Sequence, residues 1–400
     1  MLTVGILNMR SFSLGLASFI SLILAPVGYA APVKSLDFTI HEEYTSTRAL
    51  GMGNAFTAVA DDHSAIFYNP ATLANRTDGH LRMFMRGGTD EGALKLKSQL
   101  SDIKNVKKED QTKAYTDLIV SNYGQHYYLR APTIGAVWVR PGWGLAFIPA
   151  DLSFDADVHR QIGPMINVNV YVDSTLAFSY AKKVEWFGSR HALSWGATVK
   201  AVHRVYAGSA ISAGALADGS SVFSTSDGNE GLTGDLDLGS YWTPPVPATG
   251  FFSMFRYFKP SFAMVGRNLV DYGFTTNLHF INKDSGEPPK LGRRFDLGSK
   301  WEFPKVWIFD PHFAADIRNI GSDNWTPKKG AHAGVELYWK MYNWWKGHWA
   351  AGLNQGYWTA GVGARLAWFQ MDIASWGEEV GTDTSPKEDR RYILELALDF

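Results

Sequence analysis

The last eleven residues of the chain, Arg390–Phe400, alternate between two kinds of side chain without a break. Successive side chains of a β-strand point to opposite faces, so this segment is predicted to be a strand with two unlike faces. One face is apolar and ends on an aromatic residue: Tyr392, Leu394, Leu396, Leu398 and Phe400. The other face is mostly polar: Arg391, Ile393, Glu395, Ala397 and Asp399. Such a strand must lie between an apolar medium and a polar one.

This terminal strand resembles the C-terminal strand by which bacterial outer-membrane β-barrels are recognised for assembly. The resemblance implies that the apolar row Tyr392, Leu394, Leu396, Leu398 and Phe400 is an assembly signal. It also implies the barrel assembly machinery as a partner. The alternative that this segment leaves open is a buried terminal strand of a soluble β-sandwich.

The first thirty residues have the pattern of an export signal. Arg10 is their only charged residue, an apolar run follows from Phe12 to Val27, and small residues stand at Gly28 and Ala30. We therefore predict a signal peptide over residues 1–30, cleaved after Ala30. The run is too short for a membrane-spanning helix, which needs about twenty apolar residues.

The composition favours a membrane barrel over a water-soluble exported protein. The 400 residues include 14% aromatic residues and 15 Trp, but only 19% charged residues. There are no cysteines, so disulfides and thiolate metal sites are excluded. A formal net charge of −1 gives no reason to expect a nucleic-acid partner.

Motifs of catalysis are missing from the sequence. It contains no HExxH, GxSxG or P-loop pattern, and Phe56 stands where a dinucleotide-binding run beginning at Gly51 needs a third glycine. The 11 His residues show no spacing typical of metal ligands. We therefore predict a protein that is not an enzyme and that has no cofactor and no metal site.

Alternation of apolar and polar residues recurs along the rest of the chain. Between Asn167 and Tyr180, for example, valines and aromatic residues alternate with Asn, Asp, Thr and Ser. The pattern predicts an all-β protein with about fourteen antiparallel strands. Their predicted spans are 80–88, 126–141, 143–160, 166–186, 191–208, 231–244, 258–268, 291–303, 306–319, 330–340, 347–356, 357–367, 369–378 and 390–400. Most reach the roughly 9 to 11 residues that a tilted strand needs to cross a bilayer.

The connections between these strands fall into two classes that tend to alternate. Most of one class are short, such as Pro141–Gly142 and Pro304–Lys305, whereas the other includes long stretches such as 89–125 and 269–290. Tryptophans cluster beside the short class: Trp143, Trp186, Trp242, Trp301, Trp307, Trp339, Trp344, Trp345, Trp349 and Trp368. Short turns, long loops and an aromatic girdle predict a transmembrane antiparallel β-barrel with an even number of strands.

The segment Arg48–Ala74, between the signal and the first strand, carries a second resemblance. Its small-residue turn, acidic pair and Asn-Pro-Ala motif consist of Gly51, Gly53, Asp61, Asp62, Ser64, Asn69, Pro70 and Ala71. These residues resemble the N-terminal region of the FadL-like superfamily of outer-membrane transporters for long-chain fatty acids and aromatic hydrocarbons. The superfamily also includes PorV-like secretion proteins and TraF-like proteins.

This resemblance implies how the chain is divided. Residues 1–30 are the signal peptide, 31–78 a short hatch inside the barrel, and 79–400 the barrel itself. The residues alone predict that Asn69 caps a helical turn beginning at Pro70, because Asn is a good N-cap and Pro a good first helical residue. A plain structural plug or a periplasmic tail is the alternative role for this segment.

Charged residues on the polar strand faces are predicted to line the lumen. They are Asp173, Lys200, Arg204, Asp235, Asp237, Arg294, Asp296, Lys300, Asp310, Asp316, Arg318, Glu336, Arg365, Asp372, Arg391 and Glu395. Because both signs occur together, most should pair and brace the interior. The candidate partners of a carboxylate substrate are Lys200, Arg204 and Arg365.

The first long loop contains a predicted basic amphipathic helix. Its apolar residues Leu96, Leu100, Ile103 and Val106 recur at helical spacing among lysines. In the FadL-like setting they would form an external apolar patch on which a hydrophobic substrate first lands. In the alternative, the helix lies on the barrel rim with its lysines facing lipopolysaccharide phosphates.

These patterns together predict an integral protein of the bacterial outer membrane, in contact with outer-membrane lipid and lipopolysaccharide. The resemblance implies a channel for uptake of small hydrophobic molecules of the long-chain fatty acid or hydrocarbon type. The alternative function is that of a PorV-like or TraF-like barrel, which serves as an interaction component of protein secretion or conjugation machinery.

Overall fold

The computed structural model describes residues 39–159, 164–184, 192–218, 228–281, 286–382 and 385–400. The predicted signal peptide, its cleavage site at Ala30 and the first residues of the predicted hatch segment lie outside these described residues.

Fourteen strands in the described residues form one closed antiparallel barrel, in which each strand pairs with its neighbours in sequence and β1 pairs with β14. The predicted fold class is therefore confirmed, and each predicted span overlaps one strand. The strands are β1 His80–Asp90, β2 His126–Arg140, β3 Trp143–His159, β4 Met165–Val184, β5 Ala192–Ser212, β6 Asn229–Thr243, β7 Pro260–Arg267, β8 Arg294–Glu302, β9 Phe309–Ile320, β10 Ala331–Tyr342, β11 Trp345–Asn354, β12 Tyr357–Leu366, β13 Phe369–Glu379 and β14 Glu388–Asp399.

The terminal strand closes the barrel with its predicted faces in place. Its pairing with β1 runs from Arg82 opposite Asp399 to Asp90 opposite Arg391. Phe400 extends the ladder, since its backbone N–H and C=O exchange hydrogen bonds of 2.8 and 2.9 Å with Leu81. The apolar row from Tyr392 to Phe400 points outward, and Arg391, Glu395 and Asp399 are buried inside. A polar interior and an apolar exterior exclude the soluble sandwich, whose apolar faces would meet inside.

The two ends of the barrel differ in their connections. At the short-connection end, β2–β3, β10–β11 and β12–β13 are joined by two-residue turns. Exposed tryptophans there, including Trp307, Trp344 and Trp368, form the predicted girdle, whereas Trp186 lies outside the described residues. At the long-connection end, β4 and β5 reach 20 and 21 residues, about twice what a bilayer requires, so they project beyond it.

Short helices complete the fold. Three of them, α1 Thr47–Gly51, α2 Ala65–Tyr68 and the 3₁₀-helix α3 Pro70–Asn75, belong to the hatch. The β1–β2 connection contains α4 Glu91–Lys104 and α5 Lys108–Ser121, and α6 Ala213–Ala217 follows β5. The 3₁₀-helix α7 Phe251–Arg256 lies in the β6–β7 connection, and α8 Pro327–Gly330 precedes β10. Among the described residues, none of the helices has the length and hydropathy of a membrane-spanning segment.

The predicted external patch of the first long loop is mostly covered, which corrects the sequence-based expectation. The predicted helix is present as α4, but Leu96 and Ile103 are each only 8% exposed. Together with Leu100 they belong to one apolar cluster that includes residues of α5, Tyr127 of β2 and the projecting ends of β3–β5. Of the four residues, Val106 alone is exposed, at 38%. The helical spacing marks an apolar face, but the partner of that face is the protein itself.

The outward row of β14 allows a direct test of its contact with lipid. We expect the double variant Leu396→Asp/Leu398→Asp to fail to insert, because charges facing the bilayer core cost up to about 2–4 kcal/mol for Lys and Arg and less for Asp. The measurement is the amount of heat-modifiable protein in the outer-membrane fraction. The control is Leu396→Ala/Leu398→Ala, which shortens the same side chains without charge and should insert. Equal membrane levels of the two double variants would contradict a lipid-facing row.

Candidate functional site

The described part of the hatch, residues 39–78, fills the lumen as a compact insert. Met52, Phe56, Ile66, Tyr68 and Leu73 form its fully buried apolar centre. This centre packs against small and branched residues on the inner wall, including Val137, Val139, Ala146, Ile148 and Ala177. Helices this short are not stable alone, so the barrel wall supplies the packing that holds them.

The Asn-Pro-Ala motif connects the hatch to the wall. The Asn69 side chain accepts a hydrogen bond from the backbone N–H of Ala71 at 3.1 Å, so the predicted N-cap of the turn at Pro70 is confirmed. The same carboxamide donates to the carbonyl of Thr57 at 3.0 Å and to that of Ser240 in β6 at 3.1 Å. The buried side chain of Asn69 thus caps α3 and also hydrogen-bonds to a hatch loop and to the barrel wall.

Glycines in the wall provide the space in which the hatch lies. A Cβ at Gly196 in β5 would stand 2.5 Å from the backbone N of Ala71, and a Cβ at Gly361 in β12 would stand 2.7 Å from the Cα of Gly51. Gly53 has a φ of +68°, a left-handed conformation that favours glycine. The glycines of the hatch motif therefore serve a close backbone approach and a turn.

The acidic pair of the hatch motif is held by an arginine. Arg48 donates to Asp61 at 2.7 Å and to Asp62 at 3.0 Å, and it forms a two-bond ion pair with Glu336 of β10 at 2.7 and 2.6 Å. Asp62 also accepts from the backbone N–H of Ser64 at 2.8 Å. Burial by itself raises the pKa of the Asp62 carboxyl, but His63, Arg48 and Ser64 together lower it below its usual value.

The lumen charges form ion pairs rather than a path of one sign. Arg82 contacts Asp372 at 2.8 Å, Glu395 at 2.6 Å and Asp399 at 3.3 Å. On the other side of the hatch, Arg267 pairs with Asp296 at 2.7 Å. Hatch carboxylates join this network: Glu42 contacts Arg318 at 3.3 Å, and Glu43 pairs with Arg294. Burial alone raises the pKa of Glu43, but Arg294 and Lys200 lower it to about 2.

The three candidate residues for a carboxylate substrate are already engaged. Lys200 pairs with Asp237 at 2.9 Å, and Arg204 forms two bonds of 2.7 Å to Asp173. Arg365 donates to the backbone carbonyl of Ala367 at 2.8 Å and lies 3.6 Å from Asp399. Their role as partners of a carboxylate substrate stays a prediction. Lys200 and Arg204 lie in separate ion pairs, and Arg365 lies toward the opposite end of the barrel.

Two cavities lie on opposite sides of the hatch. The vestibule is a cavity of about 770 Å³ that opens toward the short-connection end, and charged residues of both signs line it, among them Arg48, Asp61, His80, Lys346 and Arg365. A second cavity of only about 60 Å³ lies toward the long-connection end, between hatch residues and Tyr128, Tyr171 and Trp376. No group of His, Asp and Glu among the described residues is arranged to hold a metal ion.

In the described part of the wall, the ladder between β2 and β3 is interrupted. Strands β2 and β3 pair from His126 to Arg130 and again from Ala136 to Arg140, but residues 131–135 have no partner among residues 148–152. Part of each stretch still pairs with its other neighbour, β1 or β4, although both of those ladders shift register at this level. Pro132 and Pro149 lie in these stretches, and Pro has no N–H to donate. We call this unpaired stretch the wall interruption.

A hatch residue lies directly behind the wall interruption. Asp151 of β3 accepts hydrogen bonds from Arg86 at 2.7 Å, from Arg130 at 2.7 and 2.9 Å, and from Thr133 at 3.1 Å. Arg130 also donates to the Thr45 hydroxyl at 2.7 Å, and Arg86 donates to the Thr45 carbonyl. A single carboxylate therefore organises the two arginines that hold the hatch against the interruption.

An exposed apolar surface that the sequence did not predict occurs in the β7–β8 connection. Tyr272 and Phe280 are 74% and 75% exposed, with Val270 and Ile281 beside them in the same connection. The connection is fixed to the barrel because the N–H groups of Phe280 and Ile281 donate to Glu230 at 3.1 and 2.9 Å. These residues have no regular spacing, so only their aromatic character within a polar loop could have indicated them.

Comparison with known proteins yields structural neighbours only. No protein-family model and no curated protein sequence matches the chain. Among solved structures, the CymD monoaromatic hydrocarbon channel is 12% identical, with coverage of 88% of this chain and 96% of that chain and a TM-score of 0.46. The toluene transporter TbuX of Ralstonia pickettii is 10% identical, with 90% and 99% covered and a TM-score of 0.47. The toluene transporter TodX of Pseudomonas putida is 11% identical, with 88% and 96% covered and a TM-score of 0.42.

Because Gly196 lies against the hatch backbone, one added methyl group at this position should loosen the hatch without unfolding the barrel. We expect Gly196→Ala to displace α3, because the added Cβ would meet backbone atoms of Pro70 and Ala71 at 2.5 Å. Amide hydrogen exchange of residues 69–75 should accelerate, while the barrel remains resistant to heat in detergent. The control is Gly234→Ala in β6, whose Cβ would have its nearest neighbour at 4.0 Å. Unchanged exchange in Gly196→Ala would show that the hatch does not depend on this contact.

Proposed function

We propose that this barrel takes up small hydrophobic molecules across the bacterial outer membrane and releases them sideways through the wall interruption. The observation that carries the proposal is the position of hatch residue Thr45 directly behind the unpaired stretch of β2 and β3. The short-connection end lies in the periplasm and the long-connection end outside the cell, as in other bacterial barrels. The role proposed is transport rather than catalysis.

Unpaired backbone groups have a high free-energy cost in lipid. Backbone groups in the hydrocarbon layer must find hydrogen-bond partners within the protein, so an interrupted ladder is expensive unless it serves a purpose. Here Pro132 and Pro149 make the interruption a property of the sequence. A hydrophobic molecule inside the barrel would gain free energy by passing from a polar lumen into lipid at this point.

The alternative exit, through the vestibule, is unfavourable for such a molecule. Charged and hydrogen-bonded side chains line that cavity, and they would lose contact with water as an apolar molecule passed. The route through the wall requires only that the segment around Thr45 move. Arg86 and Arg130 control that movement through their shared partner Asp151.

Capture of the substrate begins at the long-connection end, outside the cell. The exposed apolar residues of the β7–β8 connection, Val270, Tyr272, Phe280 and Ile281, take the landing role that the sequence had assigned to α4. Within the substrate class, neutral hydrocarbons fit better than fatty acids. A fatty acid needs a free cation for its carboxylate, whereas Lys200 and Arg204 are each paired with an aspartate.

Export and assembly complete the proposal. The signal peptide is removed near Ala30, and the barrel assembly machinery recognises the terminal row that ends at Phe400. In the membrane, the outward strand faces contact lipid, and the projecting long-connection end contacts lipopolysaccharide. The lysines of α4 are suited to its phosphates.

One observation favours a second candidate function. The hatch and its ion pairs fill the lumen, and the cavity above the hatch holds only about 60 Å³, less than a substrate needs. A barrel with a filled lumen suits a PorV-like or TraF-like role, in which the protein docks secretion or conjugation machinery. A stable protein partner that co-purifies in mild detergent, together with no uptake of any hydrophobic probe, would support this function instead.

The proposed release route predicts the effect of removing one carboxylate. We expect Asp151→Asn to raise the initial rate of toluene uptake several-fold, because Arg86 and Arg130 lose the charge that positions them against Thr45. Breaking a buried ion pair costs about 3–5 kcal/mol, so the effect should be local to the interruption in a barrel closed by its other ladders. The measurement is accumulation of radiolabelled toluene, and separately of oleate, by cells with intact lipopolysaccharide.

The control is Asp389→Asn, which removes an equally buried carboxylate from Arg391, its partner at 2.6 Å, away from the interruption. If Asp151→Asn does not assemble, Thr45→Val removes only the hydroxyl that accepts from Arg130 and should act in the same direction. Equal toluene uptake by both Asp variants and the parent protein would contradict release through the wall. Faster uptake of oleate than of toluene would contradict the preference for neutral substrates.

A further inference from the structure

Among the described residues at the short-connection end, the connection between β6 and β7 contains several exposed aromatic side chains. It contains the run FFSMFRYF, residues 251–258, after a proline-rich stretch that begins at Pro244. Phe251 is 78% exposed and Tyr257 is 67% exposed, with Phe252 and Met254 also exposed. Neither the lumen nor the hatch accounts for so many exposed aromatic side chains in one connection.

The helix α7 sorts these residues into three rows. A 3₁₀-helix has three residues per turn, so side chains three apart lie above one another. Bonds of the same kind continue past α7, from the N–H of Tyr257 to Met254 at 3.1 Å and from that of Phe258 to Phe255 at 3.3 Å. The three rows are Phe251, Met254 and Tyr257; Phe252, Phe255 and Phe258; and Ser253, Arg256 and Lys259. Two rows are apolar and the third is polar and basic.

The second row is continuous with the lipid-facing surface of the barrel. Phe255 lies 5.9 Å from Trp301 and Phe258 lies 5.4 Å from Phe303, measured between ring centroids. Trp301 in turn contacts Phe262 of β7 at 6.3 Å. These outward aromatic residues belong to the girdle at the bilayer surface, so α7 is attached at the level of the lipid headgroups.

The basic row borders the vestibule. Arg256, Tyr257 and Lys259 are among the residues that line its mouth. Neither Arg256 nor Lys259 forms an ion pair with any residue that the structure describes, although most lumen cations do. Two cations beside an apolar surface are the combination with which interfacial helices bind phospholipid: apolar side chains enter the acyl boundary and cations meet phosphates.

We infer that residues 250–259 are a membrane-surface anchor, embedded in the headgroup layer of the periplasmic leaflet beside the mouth of the vestibule. Phe251 and Met254 enter the lipid, the row of Phe252, Phe255 and Phe258 joins them to the girdle, and the long side chains of Arg256 and Lys259 reach lipid phosphates. Phospholipid is the occupant because the apolar rows continue a surface that lipid already covers.

The absence of cysteine from the sequence allows a clean test. Two variants of the full-length mature protein, Phe251→Cys and Ser253→Cys, each receive one environment-sensitive fluorophore and are placed in nanodiscs of phosphatidylethanolamine and phosphatidylglycerol. The positions are two residues apart but lie in different rows. We expect blue-shifted emission for the label at 251 and emission typical of water for the label at 253. Heat-modifiable migration on gels confirms that both barrels are folded.

Quenching of the fluorescence by brominated lipids then reports the depth of each label in the bilayer. The label at 251 should lose most of its fluorescence with lipid brominated near the headgroup and less with lipid brominated at the chain end. The label at 253 should lose little with either. Equal, water-like emission from both labels would contradict the proposed membrane anchor. The exposed apolar surface would then be a binding site for a periplasmic protein. Stronger quenching of position 251 from the chain end would overturn the headgroup placement. Neither outcome depends on whether the barrel transports toluene.

Discussion

The requirement that backbone hydrogen bonds be satisfied inside the protein is the constraint on which the rest of this structure depends. In lipid, strands meet it only by closing on themselves, here through β1 and β14. Closure sends alternate side chains into a lumen. The charges placed there form ion pairs, such as Arg204 with Asp173 and Arg82 with Glu395, and the hatch occupies the remaining space. The polar interior is thus a consequence of the closed ladder, and the hatch packs into that interior.

The hatch and the wall depend on each other because neither is complete alone. Helices of four to six residues need an outside surface to pack against, and the inner wall offers glycines where the hatch backbone approaches. Asn69 and Arg48 then connect the hatch to β6 and β10. The hatch is consequently held by many contacts along its length, and a local release at Thr45 does not require the whole insert to leave. This arrangement suits a side exit better than a channel that opens along the barrel axis.

Much of this architecture was predicted from the sequence, for a local reason. Alternation with period two assigns a strand and its two faces within a few residues, so all fourteen strands and the outward row of β14 were predicted. The cap at Asn69 involves Ala71, only two residues away. The surroundings of α4 were not predictable in the same way. Its spacing correctly marked an apolar face, but only the fold could show that this face joins a buried cluster with α5 and Tyr127 of β2.

The sequence by itself determined the approximate number of strands, the faces that meet lipid and lumen, and the cap at Asn69, because each depends on periodicity or on a motif among near neighbours. Tertiary structure decided which groups meet across the barrel: Gly196 with Ala71, Arg204 with Asp173, and Thr45 with Arg130. Pro132 and Pro149 are visible in the sequence, yet only the register of β2 against β3 places them in one interruption. Such contacts depend on strand stagger and closure, in which a shift of one residue turns every side chain to the other face.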